Sequence, residues 1–110
     1  MKDLQDTIEG TIEDDVLIEH NALLEGVITG NVTTREAARF EVSGKVSKDI
    51  FVGNGCIVQI YGVADGNIYV EGGQLEVWGT VNGSIYRKAG EITIYGEATI
   101  KGRITGSERA

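Results

Sequence analysis

The chain has 110 residues, of which sixteen are glycine, none is proline and one is cysteine. Its 17 acidic and 10 basic residues give a formal charge of −7. This length fits a single domain over residues 1–110, and one cysteine excludes an intramolecular disulfide. The acidic balance argues against nucleic acid and anionic membranes as partners, because both bind basic surfaces. The sequence shows no secretory signal and no apolar run near the ~20 residues of a membrane span, so it predicts a cytoplasmic protein.

The negative charge is concentrated in the N-terminal part of the chain. Residues 1–25 hold eight acids against one lysine, whereas residues 26–110 hold nine acids and nine bases. One interpretation is a solvated end, and the other is a docking surface for a basic partner protein. The acids that could form such a surface are Glu9, Glu13, Asp14, Asp15, Glu19 and Glu25.

A glycine recurs along the chain at nearly constant spacing. The successive steps are 16, 18, 18, 17 and 17 residues. These anchor glycines are Gly10, Gly26, Gly44, Gly62, Gly79 and Gly96. Repeats of this length are typical of a solenoid, in which one repeat forms one coil and buries its apolar side chains only by stacking on its neighbours.

Apolar residues hold fixed places relative to the anchors. Two residues before the anchor stand Ile8, Leu24, Val42, Ile60, Val77 and Ile94. Two residues after it stand Ile12, Ile28, Val46, Ala64, Val81 and Ala98, and six after it stand Val16, Val32, Ile50, Ile68 and Ile85. The alternation around these places predicts three short strands per repeat, separated by polar or glycine corners. One corner is formed by Asp15, Asn31, Asp49, Asn67 and Ser84, whose side chains can hydrogen-bond along a stack.

The repeat therefore predicts an all-β protein, a single-stranded, three-sided β-helix of five to six coils with 16–18 residues each. A right-handed helix is favoured over the left-handed hexapeptide form, because that form would turn the column from Ile8 to Ile94 outward and its period fails at Glu76. An antiparallel barrel or sandwich is the alternative, but it does not require like residues at this spacing. Residues 33–39 are unlike a strand and are expected to form a small helical or looped excursion.

A short motif, Gly-x-[Ile/Val]-x-Gly-Asn-[Ile/Val], is repeated in the chain. It occurs at residues 26–32, at 62–68 with a variant third residue, and at 79–85 with Ser in place of Asn. Over about residues 7–106 the chain resembles the bactofilins, bacterial polymer-forming cytoskeletal proteins. The resemblance implies a right-handed β-helical core and a non-enzymatic, nucleotide-independent scaffold subunit whose cores stack end to end into filaments.

The residues that could carry chemistry are few. His20 and Cys56 share one corner column but are two coils apart, ~10 Å by ladder spacing, so they are not expected to form a nucleophilic pair. One Cys and one His cannot complete a closed zinc site, and no phosphate-binding loop precedes a helix. The sequence predicts no enzyme, no cofactor and no metal site.

Two columns of aromatic residues are predicted to point outward. Directly before the anchors stand Tyr61, Trp78 and Tyr95, and seven residues after them stand Phe51, Tyr69 and Tyr86. Such stacks stabilise a solenoid, form a strip for a protein partner, or bind carbohydrate, and the sequence leaves all three open. The predicted function is a non-catalytic protein-interaction solenoid, a bactofilin-like scaffold subunit that associates with itself. The alternatives are an immunity-type inhibitor that neutralises a basic toxin-like domain through its acidic end and aromatic face, and a sugar-binding module.

Overall fold

The computed structural model describes residues 6–106. Within that range the chain winds through eighteen strands of two to four residues, three to a coil. Each strand pairs in parallel with the strands three places before and after it, except that the first three and the last three strands have one such partner within residues 6–106. This pairing produces three six-stranded sheets. This confirms the all-β, three-sided β-helix and gives it six coils. Residues 6–106 contain no helix, and so none that could cross a membrane.

The three sheets form the three sides of the solenoid, and coil n consists of the nth strand of each sheet. Sheet 1 comprises β1 (Asp6–Ile8), β4 (Ala22–Leu24), β7 (Arg39–Val42), β10 (Ile57–Ile60), β13 (Gln74–Val77) and β16 (Glu91–Ile94). Sheet 2 comprises β2 (Thr11–Ile12), β5 (Val27–Ile28), β8 (Lys45–Val46), β11 (Val63–Ala64), β14 (Thr80–Val81) and β17 (Thr99–Ile100). Sheet 3 comprises β3 (Val16–Ile18), β6 (Val32–Thr34), β9 (Ile50–Val52), β12 (Ile68–Val70), β15 (Ile85–Arg87) and β18 (Ile104–Gly106).

The core consists of apolar columns that run along the axis, one residue from each coil. Ile60 pairs with Val42 on one side and Val77 on the other, and all three side chains are fully buried. Ile68, on sheet 3, is enclosed in the same way. Because strand side chains alternate between faces, the intervening residues point outward. The predicted inward columns are thereby confirmed for the middle coils.

The last coil departs from the predicted spacing. Thr80 pairs with Thr99, a step of 99 − 80 = 19 residues, because a turn at residues 96 and 97 adds two residues to the corner. The prediction that Ala98 continues the inward column of sheet 2 is therefore wrong, and Ile100 takes that place. The misassignment followed from Gly96, which does not stack on the preceding anchor. A Cβ at Gly96 would meet nothing within 4 Å, whereas one at Gly79 would collide with backbone atoms of the coil before it.

The segment at residues 33–39 is a corner turn rather than a helix or a long loop. Strand β6 ends at Thr34 and β7 begins at Arg39. Between them Glu36 and Ala37 adopt left-handed φ values of 62° and 54°, which non-glycine residues rarely take. The next coil has a turn at the same corner, where Gly55 carries a φ of 75°. The expected excursion is thus limited to four residues.

A ladder of side chains closes the corner between sheets 2 and 3. From coil 2 on, the backbone N–H of the residue at this corner donates to the side-chain oxygen of the corresponding residue one coil earlier. The acceptors are Asp15, Asn31, Asp49, Asn67 and Ser84, at 2.8, 3.0, 2.9, 2.9 and 3.1 Å. We call these residues the corner ladder. It confirms the predicted role of the polar corner, because it satisfies N–H groups that the turn would otherwise leave without a partner.

Candidate functional site

The most conspicuous surface follows the corner between sheets 1 and 2. The residue after each strand of sheet 1 lies there, with its N–H bonded to the coil before it, as Trp78 donates to the Ile60 carbonyl at 2.8 Å. In coil order, this corner strip consists of Glu9, Glu25, Ser43, Tyr61, Trp78 and Tyr95. The structure therefore brings two of the predicted acids and three of the predicted aromatics into one line, acids on coils 1 and 2 and aromatics on coils 4 to 6.

The three aromatic rings of the corner strip lie flat on one another. The ring centroids of Tyr61 and Trp78 are 4.6 Å apart at an interplanar angle of 9°, and those of Trp78 and Tyr95 are 4.2 Å apart at 6°. The inner ring faces cover each other, so the exposed parts are mainly ring edges and hydroxyls. Only two outer faces remain for a ligand that packs on an aromatic face, such as a sugar ring or a cation. The geometry thus favours a stabilising stack whose edges can contact a protein.

The flank of the corner strip is acidic. Glu41, Gln59 and Glu76 follow one another on the outward face of sheet 1, and Gln59 Nε2 donates to Glu76 Oε1 at 3.0 Å. The pKa of Tyr61 is raised above its usual value, mainly by partial desolvation and further by the carboxylates of Glu41 and Glu76. Arg39 offsets this field in part and lies 3.9 Å from Glu41. A partner bound along this strip would meet negative charge beside the rings.

The second aromatic column occupies the middle of sheet 3. Phe51 and Tyr69 stack with centroids 5.1 Å apart, and Tyr69 and Tyr86 with centroids 5.2 Å apart. The first two are half-buried and Tyr86 is 40% exposed. Since the corner strip lies where sheets 1 and 2 meet, sheet 3 is the side away from it. The six predicted aromatic residues therefore form two separate surfaces rather than one.

The predicted acidic surface is present on coils 1 and 2, with one exception. Five of the six acids are exposed, namely Glu9, Glu13, Asp14, Asp15 and Glu25. Glu19 is half-buried and forms an ion pair with Arg35 at 2.9 Å, so its charge is already partnered. Asp14 accepts the Asp15 N–H at 2.8 Å, and Asp15 begins the corner ladder. These two carboxylates thus stabilise the fold as well as charging its surface.

The remaining chemistry-bearing residues stay apart. Cys56 is completely buried, and His20 is exposed at the equivalent corner two coils earlier. Across the described part of the chain, no three His, Cys, Asp or Glu side chains are grouped as metal ligands. The nearest to a polar cluster is on sheet 2, where Asp65 accepts from Asn82 at 2.6 Å and pairs with Lys45 at 3.1 Å. The hydrogen bond from Asn82, and then Lys45, hold the pKa of Asp65 below its usual value.

Sequence reasoning missed the two ends of the solenoid. At the C-terminal end, Ile94 is 36% and Ile104 is 49% exposed, and with Ile92 they line a hollow of about 540 Å³. At the N-terminal end, a smaller hollow of about 190 Å³ is lined by Ile8 and Val16 among others. The pattern of columns indicated these positions, because within residues 6–106 the first and last members of each column have a neighbouring coil on one side only.

Comparison with models of protein families, with curated proteins and with solved structures gives no match to this chain.

Proposed function

We propose that the protein is a non-catalytic, bactofilin-like scaffold subunit, a protein-interaction solenoid that stacks end to end with further copies of itself. The observation that carries the proposal is the loss of burial along single columns at the C-terminal end. Val77 is fully buried and Ile94, the next residue in its column, is 36% exposed. Ile85 is fully buried and Ile104, the next in its column, is 49% exposed.

The backbone at both ends supports the same proposal. Strands β1, β2 and β3 have a partner strand on one side only within residues 6–106, and so do β16, β17 and β18. Strand edges of this kind are templates for pairing with another chain. Exposed apolar residues next to unpaired edges are what an end-to-end contact between solenoids requires.

Sedimentation velocity over a concentration series, with electron microscopy of the same samples, tests the proposal. We expect the wild-type protein to form concentration-dependent oligomers or filaments. Ile104→Ser should shift the population to monomer, because it removes an apolar side chain from the end. Tyr86→Ser is the control, since Tyr86 is 40% exposed but lies in coil 5, away from both ends, and points outward from the side of sheet 3. A wild-type protein that stays monomeric at every concentration and ionic strength would refute the proposal.

A second candidate is an immunity-type inhibitor that binds a basic toxin-like protein. It is favoured by the corner strip, where acids and aromatic edges form one line beside Glu41 and Glu76. Tyrosine and tryptophan are frequent hot-spot residues, and opposite charge speeds association.

The neighbouring genes offer the first test of the inhibitor function, which predicts an adjacent gene for a basic toxin-like protein. Calorimetry with that protein should show binding that Trp78→Ala and Glu25→Lys weaken. Tyr86→Ala, on sheet 3, should leave the affinity unchanged. Absence of such a gene, or binding equally insensitive to all three substitutions, would exclude this candidate.

A further inference from the structure

The corner strip has a gap in its line of rings at coil 3. The N–H of Ser43 donates to the Leu24 carbonyl at 2.8 Å, and that of Tyr61 donates to the Val42 carbonyl at 2.8 Å, so the two residues occupy equivalent places on the backbone. Ser43 is exposed and carries a small hydroxyl where each of the next three coils carries a ring. The stack of rings therefore ends at Tyr61, and the height of one coil stays open over Ser43.

The ring face of Tyr61 toward this gap is uncovered. Tyr61 and Tyr95 each stack on one ring, that of Trp78, yet Tyr61 in coil 4 is 46% exposed whereas Tyr95 in the last coil is 37% exposed. Ser43 thus does not cover the second face of the Tyr61 ring. Beyond the gap, the exposed Glu25 follows two coils, or ~9.6 Å, from Tyr61. We call the space between Tyr61 and Glu25 the coil-3 slot.

The groups around the coil-3 slot accept hydrogen bonds or attract cations. Glu41 stands two residues before Ser43 on the outward face of sheet 1, and Glu25 lies one coil earlier on the corner strip. Next to Glu41, Gln59 donates from Nε2 to Glu76, and its Oε1 is buried with no hydrogen-bond donor among the described residues. What this part of the surface lacks is therefore a cation with several donors.

The two bases that flank Ser43 in its own coil are engaged elsewhere. Lys45 is turned to Asp65 of the next coil, with the two charged groups 3.1 Å apart. Arg39 lies 3.9 Å from Glu41, which is beyond hydrogen-bond distance, so the Glu41 carboxylate keeps its capacity for a closer donor.

We infer that the coil-3 slot binds the guanidinium group of an arginine side chain that a basic partner protein presents. This binding rests on the second candidate function, the inhibitor, and names the chemical group that the corner strip recognises. A guanidinium is flat and cationic, so its face stacks on Tyr61 as the next member of the column, while the N–H groups at its edge donate to Glu25 and Glu41. A lysine ammonium has no flat face with which to fill the slot, and a sugar ring carries no charge for the two carboxylates.

The second aromatic column shows that an open ring face alone is not such a site. Phe51 stacks on Tyr69, and one coil earlier the exposed Thr33 stands in its column, so these rings also end beside a small side chain. The acid near Thr33 is Glu19, which is already paired with Arg35 at 2.9 Å. Without a free carboxylate, this second gap is not expected to hold a cation.

Nuclear magnetic resonance titration with N-acetylarginine amide tests the inference on the whole chain. We expect the probe to shift the amide signals of Ser43 and Tyr61 with millimolar affinity, and N-acetyllysine amide to bind about threefold or more weakly. N-acetylcitrulline amide, which keeps the planar shape without the charge, should cause no such shifts. Equal binding of the arginine and citrulline probes, or no response at Ser43 and Tyr61, would overturn the inference.

Ser43→Tyr tests the slot without removing a member of the stack. The added ring should continue the column, raise the melting temperature and abolish binding of the arginine probe. Thr33→Tyr is the matched control, because it fills the gap of the second column and should leave the affinity unchanged. Unchanged affinity in a folded Ser43→Tyr protein would overturn the inference.

Removal of single charges tests the carboxylate end of the slot. Glu25→Gln should weaken binding of the arginine probe about twofold to fivefold. Glu71→Gln makes the same change in net charge at an exposed acid of the corner between sheets 3 and 1, and should leave the affinity unchanged. Equal weakening by both substitutions would mean that net charge attracts the probe and that the slot does not bind it.

The same variants separate the slot from the function on which it rests. If the arginine probe binds at Ser43 and Tyr61 but no gene for a basic partner protein is found, the slot stands and the inhibitor function fails. If a basic partner protein binds Ser43→Tyr as tightly as the wild type, while Trp78→Ala weakens its binding, the inhibitor function stands and the slot is wrong.

Discussion

Coils 3 to 5 and the two end coils are built from the same columns, but they bury them to different degrees. Ile60 in coil 4 is fully buried, whereas Ile94 in coil 6 is 36% exposed, although both are isoleucines at equivalent places of sheet 1. The backbone around them is the same parallel ladder. Burial in this solenoid therefore depends on how many coils cover a residue. A middle coil has a neighbouring coil on each side, whereas an end coil has one on one side only.

The largest difference between the two regions is expected when a charge replaces each isoleucine. Ile60→Asp should cost more than about 4 kcal/mol and unfold the protein, because it buries an unpaired carboxylate. Ile94→Asp should cost about 1 kcal/mol, because the carboxylate reaches water at the open end. Urea denaturation followed by circular dichroism, at concentrations where the protein is monomeric, measures both. Equal losses of stability would mean that the end coil is covered, and a stable Ile60→Asp protein would show that the inward column is wrongly assigned.

The aromatic stack of the corner strip allows the same comparison between a middle and an end coil, with a smaller expected change in stability. Trp78 contacts a ring on each side, and Tyr95 contacts one. Since each aromatic pair contributes ~0.5–1.5 kcal/mol beyond its area burial, we expect Trp78→Ala to cost about 2 kcal/mol and Tyr95→Ala about 1 kcal/mol. Thermal denaturation of the two variants and of the double variant gives the coupling between the rings. An unchanged melting temperature in Trp78→Ala would show that the ring stack does not stabilise the fold, and partner binding would then be the only role left for the corner strip.

The sequence was sufficient to predict the middle coils because the same pattern of inward and outward residues recurs there in several coils. Ile60 and Val77 each stand two residues before their anchors, and the outward positions of Tyr61 and Trp78 are predicted from that register alone. The last coil could not be predicted in the same way, since Gly96 keeps the spacing of the anchors although it belongs to the two-residue insertion at this corner. The number of strands per coil was thus predictable, but the length of an individual corner was not.

The sequence predicted which residues of the candidate surfaces point outward, but not how these residues are grouped into surfaces. The alternation of inward and outward positions identified all six aromatic residues. Their division into two sides required the sheets, because Tyr61 follows a strand of sheet 1 whereas Phe51 lies within sheet 3. The ion pair of Glu19 with Arg35 joins residues 16 positions apart (35 − 19) through the turn of residues 35–38, whose left-handed residues no sequence pattern indicated. A repeat pattern does not predict the tertiary contacts of individual side chains.

The corner ladder is expected to show the smallest difference in stability between a middle position and a position near the end. Asn67 Oδ1 accepts the Ser84 N–H at 2.9 Å in a partly buried setting, whereas Ser84 Oγ accepts the Arg103 N–H at 3.1 Å in an exposed one. A donor that loses its acceptor in the interior cannot turn to water, so we expect Asn67→Ala to cost about 1–2 kcal/mol and Ser84→Ala about 0.5 kcal/mol or less. Asn67→Ser is the control, because a serine hydroxyl is already an acceptor in this ladder at Ser84 and should retain most of the stability without adding a charge beside Asp49. Amide hydrogen exchange locates the effect: the Ser84 N–H should lose protection in Asn67→Ala and keep it in Asn67→Ser. If Asn67→Ala and Ser84→Ala destabilise equally, the ladder is equally shielded along its length, and the contrast between middle and end coils applies only to the apolar columns.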